Sequence, residues 1–274
     1  MGEAVGTTDS PRDESYSPHY MVIKMCKINV DRKELLAFLS SFGKGVTDVR
    51  MSCAGNRITI EVGFAHYYLR KHITGVTVSN EGFIHIAMLE KAIAFLKASR
   101  QDEVTLRQTT PVKPLHIEAG GNKLQIPSTD DILSASKTVV IRKMLEACSS
   151  VGWSDFSGAT LNVHANVETK DLISLSGMKG LVAADSQFKL RIHCGENDLG
   201  IVAGKAATGR LFTTLPVTDA DGPNATVETY FGDWLPKCLQ YLDEGEARLH
   251  MGDDEPVIFE QDNTLLLIIN ESDV

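Results

Sequence analysis

The chain has 274 residues, is 43% hydrophobic and 23% charged, and carries a formal net charge of −9. That is the composition of a globular protein with room for one large domain or two ordinary ones. No apolar run approaches the roughly 18 residues of a membrane-spanning helix. The five cysteines (26, 53, 148, 194 and 238) are odd in number and form no CxxC pair, which points to reduced thiols and not a disulfide framework.

The first 20 residues, "MGEAVGTTDSPRDESYSPHY", lack the apolar core of a signal peptide and read as a flexible tail. A strand, "MVIKMCKINV", follows. Asp31 then suits the N-cap of a helix in "RKELLAFLSSFGKG", with Leu35, Leu36, Leu39 and Phe42 on one face and Gly43 and Gly45 at its end. Strands are predicted in "VTDVRMSCAG", "RITIEVGFAHYYL" and "ITGVTVSNEGFIHI". A second helix starts at Met88, and a hairpin "EVTLRQ…PLHIEA" closes with "NKLQIP".

The order then repeats. A strand region around "DDILSASK" precedes a helix in "TVVIRKMLEACSSVG", where Ile141, Met144, Leu145 and Cys148 share a face. Strands follow in "ATLNVHANVET", "GLVAADSQFKLRIHC", "LGIVAGKA" and "RLFTTLPV". A helix from Tyr230 carries Phe231, Trp234, Leu235, Cys238, Leu239 and Leu242 as its apolar stripe, and tolerates Pro236 only in its first turn. "ARLHMG", "PVIFEQ" and "TLLLIIN" end the chain. Each half is an α+β unit, a curved antiparallel sheet with two helices on one face. The expected organisation is a tail (1–20), a first domain (21–121), a connector (122–131) and a second domain (132–274).

Charge is unevenly spread. Residues 21–127 hold 15 basic and 9 acidic side chains; residues 128–274 hold 11 and 23. A chain with one basic and one acidic half can bind a polyanion locally or a copy of itself head to tail.

Signals of catalysis are weak. "GIVAGKAAT" has three residues where a phosphate loop needs four between its glycines, and Ala206 stands where Ser or Thr belongs. There is no GxSxG elbow. His193 and Cys194 are adjacent, which makes a poor chelate, and "GDDEP" lacks the alternating ligands of a calcium loop. No catalytic residue, cofactor or metal is expected.

The repeat of helix, acidic turn and strand hairpin with a late Pro, in "LEKAIAFLKASRQDEVTLRQTTPVKPLHIE" and again in "LPKCLQYLDEGEARLHMGDDEPVIFE", resembles the two-domain DNA sliding clamps, the proliferating cell nuclear antigen class and its phage relatives. The resemblance covers residues 21 to 270. It implies a non-enzymatic processivity factor of the cytoplasm or nucleoid in a bacterial or phage-infected cell. Such a clamp is a head-to-tail homotrimer around duplex DNA, and its partners are a DNA polymerase and a clamp loader.

On that resemblance, Arg32, Lys33, Lys44, Lys91, Lys97, Arg100, Arg142, Lys143 and Lys237 are expected to face DNA from the helices. Leu124, Ile126, Pro127, Pro256 and Leu267 are expected to line an outer partner groove. The subunit edges are expected in "FAHYYLRKHITGVTV" and "GLVAADSQFKLRIHC". The alternative is a protein-interaction scaffold of clamp-like or other α+β fold that does not encircle DNA.

Overall fold

The computed structural model describes residues 25–43, 45–110, 112–128, 141–145, 158–178, 186–193, 195, 197–205, 209–223 and 225–271. The expected tail, Lys44, the "DDILSASK" strand and the ends of the third expected helix lie outside these residues.

The first unit runs β1 (Cys26–Asp31), α1 (Arg32–Ser40), β2 (Val49–Ala54), β3 (Arg57–Gly63), β4 (Tyr67–Thr74), β5 (Thr77–Asn80), β6 (Gly82–Ile86), α2 (Leu89–Ala98), β7 (Glu103–Gln108), β8 (Leu115–Ala119) and β9 (Asn122–Ile126). A helical segment, α3 (141–145), lies between the units. The second unit runs β10 (Val163–Glu168), α4 (Thr169–Met178), β11 (Phe188–His193), β12 (Asp198–Lys205), β13 (Gly209–Asp221), β14 (Thr226–Phe231), α5 (Leu235–Leu239), β15 (Glu246–Met251), β16 (Val257–Glu260) and β17 (Thr264–Ile268). The α+β expectation holds: two similar units of antiparallel strands, each with a pair of helices packed on one another.

Three local readings are corrected. "RITIEVGFAHYYL" is two strands, because Phe64, Ala65 and His66 form the turn between β3 and β4. The last helix begins at Leu235 and not at Tyr230: Tyr230 and Phe231 pair with Lys189 and Phe188 in the sheet. Pro236 does sit in the helix's first turn. The stretch expected as connector opens with β9, which pairs with β8, whereas β10 begins only at Val163.

The largest correction is α4. It stands after β10 as α1 stands after β1, so it, and not the helix at 141–145, is the counterpart of α1. The alternation of "ATLNVHANVE" hid it, and only Thr169, Leu172 and Leu175 are buried among its described positions.

The two units superpose strand by strand in their pairing. In the second, order runs β14-β11-β12-β13-β10-β15-β16-β17. Residues 209–216 of β13 pair with β12, and Val217, Thr218 and Asp221 pair with β10. In the first unit the same course is cut at Gly75 (φ +81°), giving β4 and β5. There, β6-β2-β3-β4 and β5-β1-β7-β8-β9 are the equivalent runs.

β17 of the second unit pairs with β4 of the first, from Thr264 opposite Lys71 to Ile268 opposite Tyr67. This junction is reinforced on its helix side. Lys71, with a side chain only 4% exposed, places Nζ 2.7 Å from Asp243 Oδ1. Thr264 Oγ1 donates to Asp243 Oδ2 at 2.5 Å. Burial pulls the Lys71 pKa below its ordinary value, and the bond to Asp243 only partly restores it.

The counterparts of this junction are open. β9, equivalent to β17, pairs only with β8, and residues 209–215 of β13, equivalent to β4, pair only with β12 among the described residues. Of the expected subunit edges, β4 is flanked by β3 and β17 and β11 by β12 and β14, so neither strand is open; only β5, which starts at the end of "FAHYYLRKHITGVTV", lies at a sheet edge.

Alternate strand residues face the helices and form the main core with Leu35, Phe38, Leu39, Leu89, Ala92 and Leu96 of the first unit and Leu172, Leu175, Leu235, Cys238 and Leu239 of the second. Burying each large aliphatic or aromatic side chain contributes about 1.5–3 kcal/mol. A second, smaller cluster lies on the opposite face at the junction: Tyr68, Leu145, Ala159, Leu161, Ile258, Leu265 and Leu267.

Candidate nucleic-acid and partner interfaces

The exposed sides of the four core-packed helices make one candidate surface. Asp31 caps α1 as expected, its Oδ1 accepting from the amides of Lys33 (2.8 Å) and Glu34 (3.0 Å). Lys33 on α1, Lys91 and Lys97 on α2, Lys237 on α5, and Arg100 just beyond α2 are all exposed. Lys237 pairs with Asp233, one turn earlier, at 3.1 Å.

Arg32 has a different task. Its Nε donates to the carbonyl of Gln101 (2.9 Å) and its Nη1 to that of Leu96 (3.2 Å), so it ties the start of α1 to the last turn of α2. Sequence reasoning missed Lys170, exposed on α4, because it missed that helix. The same helix faces carry Glu34, Glu90 and Asp171, all exposed, so the surface is mixed in sign and not strongly basic.

Arg142 and Lys143 do not join this surface. Residues 141–145 pack on the opposite face of the sheet, where Leu145 meets the cluster of Tyr68, Ile258, Leu265 and Leu267. Arg142 Nη1 lies 3.4 Å from Glu61 Oε2, and Glu61 Oε1 accepts from the Tyr68 hydroxyl at 2.8 Å. Lys143 is exposed on that outer side. Lys44 lies outside the described residues.

The expected partner groove is also divided. Ile126 is 1% exposed and belongs to the helix-side core, with Leu124 packed against it. Pro127 is exposed and Pro256 half-buried. Leu267 alone of the five belongs to the outer cluster at the junction. Leu267 packs there with Tyr68, Ile258 and Leu265. The signal was present in the sequence: "TLLLIIN" is apolar on both faces, unlike "NKLQIP", its counterpart.

Aromatic side chains mark the helix side of the junction. Phe64 stacks on Tyr67 (4.9 Å), His66 on Trp234 (4.1 Å), and the Tyr67 and Tyr241 hydroxyls meet at 3.1 Å. Burial, then the bond to Tyr241, holds Tyr67 protonated well past the ordinary tyrosine range. No cluster of three or more His, Cys, Asp or Glu side chains suited to a metal occurs among the described residues.

No protein-family model matches the sequence, and no curated protein is significantly similar to it. Solved structures do match. The Helicobacter pylori beta clamp in complex with 5-chloroisatin has a TM-score of 0.67 at 12% identity, over 90% of this chain and 64% of its own. The same protein bound to a DNA ligase peptide matches at 0.62 and 12% identity, over 90% of this chain and 67% of its own. PCNA from Thermococcus kodakaraensis matches at 0.64 and 14% identity, over 90% of this chain and 100% of its own. The chain thus has the fold of DNA sliding clamps and spans less than two thirds of the length of the first of these.

Proposed function

We propose that the protein is a DNA sliding clamp: three copies close head to tail into a ring of six similar units that encircles duplex DNA and tethers a replicative polymerase after loading by a clamp loader. It is not an enzyme on this reading, and it works in the cytoplasm or nucleoid of a bacterial or phage-infected cell. The observation that carries the reading is the junction between β17 and β4. It joins one unit to the next within the chain, and the equivalent strands, β9 and the first half of β13, are left open at the two ends. Pairing β9 of one copy with β13 of the next repeats the internal contact, and a heterologous contact that repeats closes a ring when its rotation allows. Phe212, 66% exposed on that open strand, is the apolar side chain a neighbour would cover.

Lysines on the helices then face the duplex. Such contacts reach phosphates and read no bases, as a sliding protein requires. An open surface of this kind loses affinity steeply with salt, about −0.9 in log–log slope per phosphate neutralised. A closed ring holds DNA by topology instead.

The test is native mass with DNA retention. Wild type is expected at three chains and retained on circular but not linear DNA. Phe212→Asp is expected to yield monomers of unchanged secondary structure. A wild type that is monomeric at every concentration refutes the ring. One observation favours a second reading, a scaffold that does not encircle DNA: Glu34, Glu90 and Asp171 stand among the helix-face lysines. That reading is selected if a closed oligomer forms and is not retained on circular DNA.

A further inference from the structure

The two sheets of the first unit meet where the chain passes from β5 to β6. β5 pairs with β1 in one sheet, and β6, starting at Gly82, pairs with β2 in the other. Two cysteines meet at this corner. Cys26 opens β1, and Cys53 lies in β2 directly opposite Gly82. They are 2% and 1% exposed and belong to the helix-side core. A methyl carbon on residue 82 would stand 3.3 Å from Cys26 Cβ and 3.9 Å from its Sγ, so the glycine leaves Cys26 its place beside Cys53. The two thiols hydrogen-bond each other. That bond lowers the Cys26 pKa against the opposing effect of burial, and the bond and burial together raise that of Cys53.

The fold does not ask for cysteine here. Cys26 opposite Gln108 matches Val163 opposite Met251 in the second unit. Val49 opposite Ile86 matches Phe188 opposite Phe231, which sets Cys53 and Gly82 against Ile192 and Val227. Three aliphatic side chains fill the corner of one unit; two thiols and a glycine fill that of the other. The thiol corner also lies beside a weak edge. β5 has four residues, pairs only with β1 among the described residues, and shifts register between Lys27 and Ile28. Short edge strands open locally at little cost, which gives a small oxidant a way to Cys26.

We propose that Cys26 and Cys53 are a modification site: on meeting a hydroperoxide they form a reversible disulfide that staples the two sheets of the first unit together. The Cys26 thiolate attacks one peroxide oxygen; the O–O bond breaks, and the departing hydroxide takes up the proton that Cys26 lost. The Cys53 sulfur then attacks the Cys26 sulfenic acid. The S–S bond forms, the S–O bond breaks, and hydroxide leaves with the Cys53 proton as water. The sulfurs give up two electrons in all, and peroxide becomes two waters. A thiol reductant reverses the bond by exchange. The inference stands on this corner alone and not on the clamp reading.

The test maps the cysteines of the full native chain. It is treated with hydrogen peroxide, quenched with catalase, unfolded in N-ethylmaleimide and digested with trypsin without reduction. Cleavage after Lys24, Lys27, Arg50 and Arg57 is expected to give the peptide Met25–Lys27 joined to Met51–Arg57. Dithiothreitol before the maleimide is expected to return both peptides singly labelled. The linked chain is expected to melt above the reduced one, because the bond restricts the unfolded chain. In Cys26→Val, which copies the second unit, oxidation of Cys53 is expected to fall about tenfold for want of the attacking thiol. Both peptides labelled by maleimide after peroxide, or either cysteine joined to Cys148, Cys194 or Cys238, overturns the proposal. So does equal oxidation of Cys53 in the two chains, or a linked chain that melts no higher. If the variant does not fold, the wild-type map decides alone.

Discussion

Replacing Asp243 with Ala tests the junction on which the ring reading depends. The Lys71 ammonium meets Asp243 Oδ1 at 2.7 Å, and the other carboxylate oxygen accepts from Thr264, itself 2% exposed. Removing one partner of a buried pair costs about 3–5 kcal/mol, because the remaining charge is left desolvated. The Asp243 side chain is half exposed, so water can reach part of the vacated space, and about 2–3 kcal/mol is expected. Lys71→Met should cost under about 1 kcal/mol, since burial already outweighs the pull of Asp243 on the lysine. In the double variant the cost of Asp243→Ala should largely vanish. Denaturant unfolding of the four chains gives the cycle, read from midpoints at constant slope. The reasoning fails if Asp243→Ala costs under about 1 kcal/mol, or if Lys71→Met does not rescue it.

Other consequences are simpler to measure. Asp31→Ala removes the cap of α1 and should lower stability by about 1 kcal/mol in the same unfolding assay. Changing Lys33, Lys91, Lys97 and Lys170 together to Glu should leave the melting temperature nearly unchanged, at under about 0.5 kcal/mol per exposed site, while reducing the amount loaded onto circular DNA. The Cys238 thiol, 1% exposed and pushed up to about 12 by burial, should resist alkylation in the native protein at pH 8 and react once it unfolds. His164 has its pKa lowered by burial and then by His250, whose Nδ1 lies 2.9 Å from its own. The fold favours the neutral ring, so this stability is present above the unfolded value near 6.5 and is lost as pH falls through the lower folded value. His164→Asn should flatten that acid-side decline in midpoint.

The sequence disclosed the repeat because its strongest signals are local. Asp31 as a cap, the stripe of α2 and the hairpin after each second helix follow from spacing and turn chemistry. Pairing partners do not. Which strands are edges depends on contacts between residues about two hundred positions apart, such as Tyr67 with Ile268, and nothing in the "YYLRKHIT" pattern says that both sides of β4 are already occupied. α4 escaped because the alternation of β10 runs straight into it, and a ten-residue helix with few buried positions has little periodicity to offer. The face covered by α3 was misjudged for the opposite reason. Its stripe of Ile141 and Leu145 was read correctly as apolar, but a stripe does not say which side of a sheet it will meet.

The asymmetry between the two units bears on the proposed assembly. A chain made of two equal units could place any outward function at both β9 and β17, yet only the β17 junction carries an apolar outer face. The open β9 edge presents Lys123 and Gln125 outward instead. If β9 pairs with β13 of the next copy, that junction has no matching patch, and a ring of three chains alternates three junctions with the apolar outer cluster and three without it.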